Sequence, residues 1–306
     1  MAAALVSTLY FRFMARGAIP DPSPLLESLL ARADQLGRVT DWRADVFRVF
    51  APCHAAIVDP VVAAPVAMFA AHGAIKGAWV CMATPVRYTA DMSSVRLPRE
   101  GILRLDAPAA AALAGDFNRV WRDSGVSMQV GRFADLFCTF DAPMSVVTHD
   151  PEIVLDRYIE DFLPHGTDAH RLRRLMSEME MWLFEHAATR APAMRPGQIP
   201  NGLWLWGGGT PLRSVPAPDL HAAGEDALFN YYSGDVSQGG VVIAPRPGSE
   251  AWRDALAQWL APALAGLKSG RLTRLLLSAD DRCFAVSSRS QRRFWRRRRL
   301  WTEHFD

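Results

Sequence analysis

The chain has 306 residues, of which 50% are hydrophobic and 22% charged, with a formal net charge of +2. That is enough apolar material for one large or two small cores, and nothing in the overall charge requires nucleic acid as a partner. Cys53, Cys81, Cys138 and Cys283 lie far apart with no CxxC-like spacing, which excludes the usual zinc and redox motifs and fits reduced core residues of a cytoplasmic protein.

The opening "MAAALVSTLYFRFMARG" is apolar but broken by Arg12 and Arg16 and lacks a basic leader, so it reads as a buried first strand. No uninterrupted apolar run anywhere reaches membrane-spanning length. After a Pro-rich turn, "PLLESLLARADQLG" has the helical spacing of Leu25, Leu26, Leu29 and Leu30, with Gly37 as its stop. From Lys76 the pattern changes. "GAWVCMATPVRYT" and "SSVRLP" read as strands, and a helix follows with Asp106 as N-cap, Pro108 in its first turn and Gly125 after it. "VSMQVG" and "DLFCTFD" complete a strand, strand, helix, strand, strand module over 76–142.

Two helices are then predicted, "PEIVLDRYIEDFL" and "TDAHRLRRLMSEMEMWLFEHAA". The second carries Leu172, Leu175, Met176, Met179, Trp182 and Leu183 at core spacing. "LWLW" reads as a buried strand stopped by Gly207, Gly208 and Gly209 in a tight turn. "GGVVIAPRPG" holds a strand, Ser249 caps a long helix, and "RLTRLLLSADDRCFAVSS" reads as strand, turn, strand. The basic end, "SQRRFWRRRRLW", is expected as a helix. It either binds a polyanion through Arg292, Arg293, Arg296 and Arg297, or docks Phe294, Trp295 and Leu300 on the core beneath arginine stems. The docked alternative is preferred: without the seven arginines of 289–299 the +2 chain would carry −5, which is not a nucleic-acid-binding body.

A strand ending in three glycines is able to cradle a phosphate with its backbone N–H groups. No GK[ST] follows it and GxGxxG is absent, so on its own the run reads as a structural turn. Its surroundings add to that reading. His149-Asp150, the Leu163-Pro164 pair with Gly166, His186, Arg190, Asn201, Trp204, Trp206, Gly207, Gly209 and Pro211 occur in the order of a known pattern. Over about 76–212 the chain resembles cofactor-independent phosphoglycerate mutases of the archaeal type. It is still more similar to a shorter bacterial family, labelled phosphoglycerate mutase-like or regulatory protein of the RpfE type.

That resemblance implies an α/β fold: a reduced alkaline-phosphatase-like core over 1–75 and 143–306, with the 76–142 module inserted. It also implies two-metal phosphoryl transfer from a Ser or Thr nucleophile in active members. Here the first strand has no Asp-Gly, no nucleophile is recognisable, and the last strand ends in "SADD", offering only Asp280 and Asp281 as weak metal candidates. The expected function is therefore a non-catalytic or regulatory protein without a cofactor. It would bind a small phosphorylated or anionic ligand where His149, Asp150, Asn201 and the three glycines converge. Two local alternatives stand beside this: Asp150 as the N-cap of the helix at Pro151, and Asn201 as a turn former. An enzyme reading would need Mn or Mg on ligands drawn from Asp226, Asp235, Asp280 and Asp281. A third reading is an adaptor acting through the C-terminal arginines.

Overall fold

In a computed structural model of the chain, the described residues are 7–15, 18, 21–39, 41–50, 63–72, 77–92, 94–190, 199–212, 219–293 and 295–305. Cys53, Arg16, Lys76 and Phe294 fall outside them, as do the side chains of His186 and Arg190. The chain begins with β1 (Thr8–Phe13), α1 (Pro24–Arg32), β2 (Asp34–Arg38) and α2 (Trp42–Phe50). It continues through α3 (Ala63–His72), β3 (Trp79–Val86), β4 (Thr89–Ala90), β5 (Val95–Leu97) and α4 (Ala107–Val120). Next come β6 (Val126–Val130), β7 (Leu136–Phe140), α5 (Pro151–Val154), β8 (Arg157–Tyr158), α6 (Ala169–Arg190) and β9 (Gly202–Gly209). It closes with β10 (Ala222–Gly224), β11 (Gly240–Ile243), α7 (Glu250–Ala255), α8 (Ala261–Ser269), β12 (Arg274–Ala279) and β13 (Arg282–Ser287). Among the described residues, no helix is long and apolar enough to cross a membrane.

These elements form two compact units, Met1–Asp59 with Pro216–Asp306, and Pro60–Val215. In the first, a six-stranded sheet runs β10-β11-β1-β12-β13-β2, parallel from β10 to β12 and antiparallel at β13 and β2. All six residues of β1 are buried, as a central parallel strand covered on both faces requires. Strand alternation sends Leu9, Phe11 and Phe13 into one core with Leu26, Leu29 and Leu30 of α1, Trp252 of α7 and Trp301. The other face receives Thr8, Tyr10 and Arg12, polar residues inside a buried strand.

The Ser249 cap expected from the sequence is present, whereas Gly37 lies within β2 and ends no helix. Ser249 Oγ accepts the Trp252 N–H, and Gly270 ends α8 in the left-handed conformation. Between α7 and α8 the chain makes a π-turn over Leu256–Leu260, just before Pro262, whose missing N–H cannot bond back to Gln258.

The second unit is wider than the 76–142 module expected from sequence. Its main sheet runs β6-β7-β3-β9, antiparallel throughout, so the "LWLW" strand joins the module and brings α3 and α6 with it. Local patterning marks strands but not which strand they pair with, which is why the boundary moved. Within this unit α4 begins as expected, with Asp106 accepting the Ala109 N–H at 2.8 Å. A separate small sheet, β4-β5-β8, lies in the same unit.

The three glycines are not a terminal turn. They lie inside β9, where the pairing register to β3 slips by one residue between Val80 and Met82. Gly207 sits at φ +62° in this bulge, which carries one extra residue on the β9 side. Gly208 lies directly under the Trp79 indole, so a Cβ there would fall inside the ring's van der Waals surface.

Three predicted helices give way to other structures. α1 stops at Arg32, and 34–38 becomes an edge strand on β13. There the strand satisfies backbone groups by pairing with β13, although Leu36 is left exposed. "PEIVLDRYIEDFL" keeps only the short α5. Arg157 and Tyr158 then pair with β5, and Val154, Leu155 and Ile159 are buried without a continuous helix. Among the described residues, the basic C-terminal run and its end form two short 3-10 turns, Ser290–Arg292 and Trp301–His304. There Trp301 is the docked aromatic at 0% exposure, while Trp295 is 69% exposed. The expected anchors Trp295 and Leu300 thus give way to a Trp whose indole N–H donates to the Asp21 carbonyl at 2.8 Å.

Gly208→Val should destabilise the protein by roughly 3 kcal/mol or more, because overpacking a rigid indole has no cheap relaxation. Gly207→Ala should cost about 1–2 kcal/mol from its left-handed backbone alone. Urea denaturation of both variants would show this order, and a reversed order would reject the bulge.

Candidate functional site

The segment 148–165 runs beside β9 and carries His149 and Asp150, while the other predicted ligand residues, Asn201 and the three glycines, lie on or next to β9 itself. Its position follows from β9. The Trp204 indole N–H donates to the His149 carbonyl at 2.6 Å, and the Gly207 N–H donates to Thr148 Oγ1 at 3.0 Å. His149 Nδ1 lies 2.9 Å from the Phe162 carbonyl, so Nδ1 carries the proton and Nε2 is left as the acceptor. Asp150 caps α5 by accepting the Glu152 N–H at 2.9 Å, the alternative that the sequence left open. Asn201 takes the Tyr88 N–H at 2.7 Å and gives its own amide N–H to the Tyr88 carbonyl at 3.0 Å. That pair of bonds holds the start of β9 against the end of β3.

His149, Gly207 and the Thr148 hydroxyl are therefore brought together, while Asn201 sits at the opposite end of β9. The Gly207 N–H is already occupied by Thr148, and Gly208 is covered by Trp79, so the glycine run presents no phosphate cradle of the expected kind. Beside Asn201, Gly202 lies under the Tyr88 ring. Burial raises the Tyr88 hydroxyl well above its ordinary value, and the charge of Glu180 on α6 adds to the shift. Burial also raises the Glu180 carboxyl.

Midway along the same segment, at Asp156, is a cleft of about 400 Å³, which sequence reasoning missed. Thr89, Arg96, Pro98, Arg99, Glu100 and Asp156 line it. Arg99 Nε and Nη2 both donate to Asp156 Oδ2, at 3.2 and 3.1 Å. Arg96 Nη2 donates to the Asp156 carbonyl at 3.1 Å and lies 3.7 Å from Oδ1. Asp156 is one of few non-glycine residues with positive φ, at +60°. Two guanidinium groups thus converge on one carboxylate held in a sparsely populated backbone conformation. The only sequence signals were two arginines three apart, which carry no information until β5 and β8 pair.

The first unit holds a buried polar layer on the Arg12 face of its sheet. Register places Arg12, Ser278 and Cys283 side by side on β1, β12 and β13. The Tyr10 hydroxyl donates to Asp45 at 3.1 Å, and Trp42 lies beneath both Arg12 and Arg43, 5.3 and 4.6 Å from the two guanidinium carbons. Burial, reinforced by the Asp45 charge, pushes the Cys283 thiol up to about 12, which leaves it no thiolate for nucleophilic work. Arg43 meets Asp226 at 2.6 Å with side-chain exposures of 4% and 2%. Burial pushes the Asp226 carboxyl upward, but the Arg43 charge and the N–H groups of Leu228 and Phe229 outweigh it and hold it below the usual carboxylate range.

The weak metal candidates are spoken for. Asp226 is paired with Arg43, and Asp235 bonds the N–H and hydroxyl of Ser237. Asp281 pairs with Arg38 at 3.0 Å, and Asp280 forms the β12–β13 turn at φ +49°, its carbonyl accepting from Arg12. Among the described residues, no three His, Cys, Asp or Glu side chains gather where they could hold a metal ion. Of the C-terminal arginines, Arg293 bonds Asp34 and the Arg32 carbonyl, and Arg296 bonds the Ala33 carbonyl at 3.0 Å. Arg292 and Arg297 are exposed.

No protein-family model matches the chain, and no curated protein matches it. Among solved structures, a cofactor-independent phosphoglycerate mutase from Thermoplasma acidophilum aligns over 91% of this chain and 88% of its own, with 13% identity and a TM-score of 0.35. At that score no residue role is carried from one chain to the other.

Asp226→Asn should cost about 3–5 kcal/mol, because it leaves Arg43 charged and unpaired in the interior. The folded value of Asp226 lies below the unfolded one, so the ionised pair adds stability above about pH 4 and loses it as pH falls through the folded value. Stability measured against pH should drop in acid for the natural chain and lack that component in Asp226→Asn.

Proposed function

We propose that this chain is a non-catalytic, phosphoglycerate mutase-like protein that binds a small phosphorylated or anionic ligand on its second unit. The observation that carries this reading is the convergence of Arg96 and Arg99 on a single carboxylate at the open cleft. A planar, bidentate guanidinium pair suits phosphate and carboxylate groups, and Asp156 occupies the seat that such a group would take. The cleft lies on the same chain segment as His149 and Asp150, but its charge comes from residues on β5 and in the turn after it.

The non-catalytic part rests on the commitments of the first unit. Two-metal phosphoryl transfer needs clustered oxygen and nitrogen ligands and an activated nucleophile. Asp226, Asp235 and Asp281 are each engaged with a neighbouring residue, and Cys283 is held protonated. Ser278 is fully buried on the same polar face. A regulatory role follows from binding without turnover.

Calorimetric titration with inorganic phosphate and with 3-phosphoglycerate tests the site. Arg96→Ala should weaken binding by about tenfold or more, the loss expected for one charge-assisted contact. Asp156→Asn should tighten it, since an amide tolerates the left-handed backbone while removing the competing charge. Equal affinity in all three proteins would reject the cleft as the site. A coupled assay of 3-phosphoglycerate conversion should give no turnover with or without Mn²⁺, and metal-dependent turnover would overturn the non-catalytic reading.

A further inference from the structure

His149 and His165 are the one pair of imidazoles in ring contact among the described residues, with ring centroids 5.5 Å apart and planes tilted by 35°. Both backbones are fixed. His165 exchanges hydrogen bonds with Val147, N–H to carbonyl at 3.0 Å and 2.8 Å in the two directions. The His149 carbonyl is held by the Trp204 indole. The His149 ring is also fixed, because its Nδ1–H is spent on the Phe162 carbonyl and the Phe162 ring stands edge-on against it at 5.7 Å. His165 is exposed, and its ring makes no hydrogen bond among the described residues.

We infer that His149 and His165 form a two-histidine clamp for a borderline divalent transition metal, Zn²⁺, Ni²⁺ or Cu²⁺. A ring N–H bonded to a backbone carbonyl is the usual outer-shell partner of a metal-binding histidine, because it fixes the tautomer and aims the other nitrogen. Two imidazoles on one tetrahedral ion, with metal–nitrogen bonds near 2.0–2.1 Å, place their centroids roughly 5 Å apart, close to the separation seen here. Imidazole selects these ions over Mg²⁺ and Ca²⁺, which prefer oxygen. Only two protein ligands are supplied, so solvent completes the shell and the site is open. Binding would tie the strand-like 147–149 stretch to the turn at 162–165 and stiffen the segment that also carries Asp156.

The test is calorimetric titration of the full chain with ZnCl₂ and, separately, with MgCl₂. The natural chain should bind Zn²⁺ and not Mg²⁺, as imidazole ligands require. His165→Ala, an exposed position, should lower Zn²⁺ affinity by at least about tenfold with the circular dichroism spectrum and melting temperature of the metal-free protein unchanged. His149→Gln should do the same while its amide still reaches the Phe162 carbonyl. Unchanged Zn²⁺ affinity in either folded variant overturns the clamp, as does Mg²⁺ binding with equal strength. Phosphate titrations of the same variants are expected to match the natural chain, so failure of this site and failure of the arginine cleft are told apart.

Discussion

The pairing of β9 with β3 is the constraint on which the second unit depends. A strand with two tryptophans and four glycines has to fit against Trp79 at one end and Tyr88 at the other, and it does so by removing side chains where the rings lie. Gly208 sits under the Trp79 indole and Gly202 under the Tyr88 ring. The extra residue of the bulge is taken up at Gly207, whose left-handed backbone turns its N–H toward Thr148. Once β9 is registered, Trp204 and Gly207 hold the chain at 148–149, and the following segment is laid down from there. Large next to small is thus a packing solution, in which the glycines make room for rings from the neighbouring strand.

That segment, 148–165, has local structure too short to be stable alone. α5 is four residues long and β8 two. Its order comes from Asp156 between two arginines and His165 on Val147, both outside it, and from Asp150 on the Glu152 N–H and Phe162 under Arg157 within it. Short elements tied by polar contacts at intervals place several functional groups along one strip. This explains why the arginine cleft and the histidine pair share one stretch of chain, with His149 and His165 near its ends and Asp156 between them.

The first unit solves a different problem. Its central strand is buried on both faces, yet it carries Tyr10 and Arg12 inward. A buried guanidinium is expensive unless it is paired or stacked, and here Arg12 shares the Trp42 ring with Arg43 while bonding the turn at Asp280. Arg43 in turn is neutralised by Asp226, whose remaining lone pairs accept backbone N–H groups. Arg12, Trp42, Arg43 and Asp226 are linked one to the next and Tyr10 to Asp45, so the layer specifies how α2 sits on the sheet.

Much of this was written locally. Asp106 and Ser249 announced their helices because a cap needs only its own next three residues, and β1 announced itself by continuous burial. The hairpin through Asp280 and Asp281 was equally visible. Local spacing failed where partners decide. "DQLGR" became a strand because β13 had an open edge, and "RYIEDF" left the helix because Arg157 and Tyr158 had β5 to pair with. The arginine-rich end formed no long helix, and Trp301 rather than Trp295 found the core. Of the candidate residues, His149 and Asp150 could be picked out in the sequence, and so could the capping duty of Asp150, but not the carbonyl that His149 bonds. Arg96, Arg99 and Asp156 could not be picked out at all, since residues some sixty positions apart become one site only through strand pairing. The sequence by itself determined the local elements, because capping, periodicity and burial act over a few residues. The tertiary structure alone decided register, unit boundaries and the meeting of charges, because those depend on partners distant in the chain.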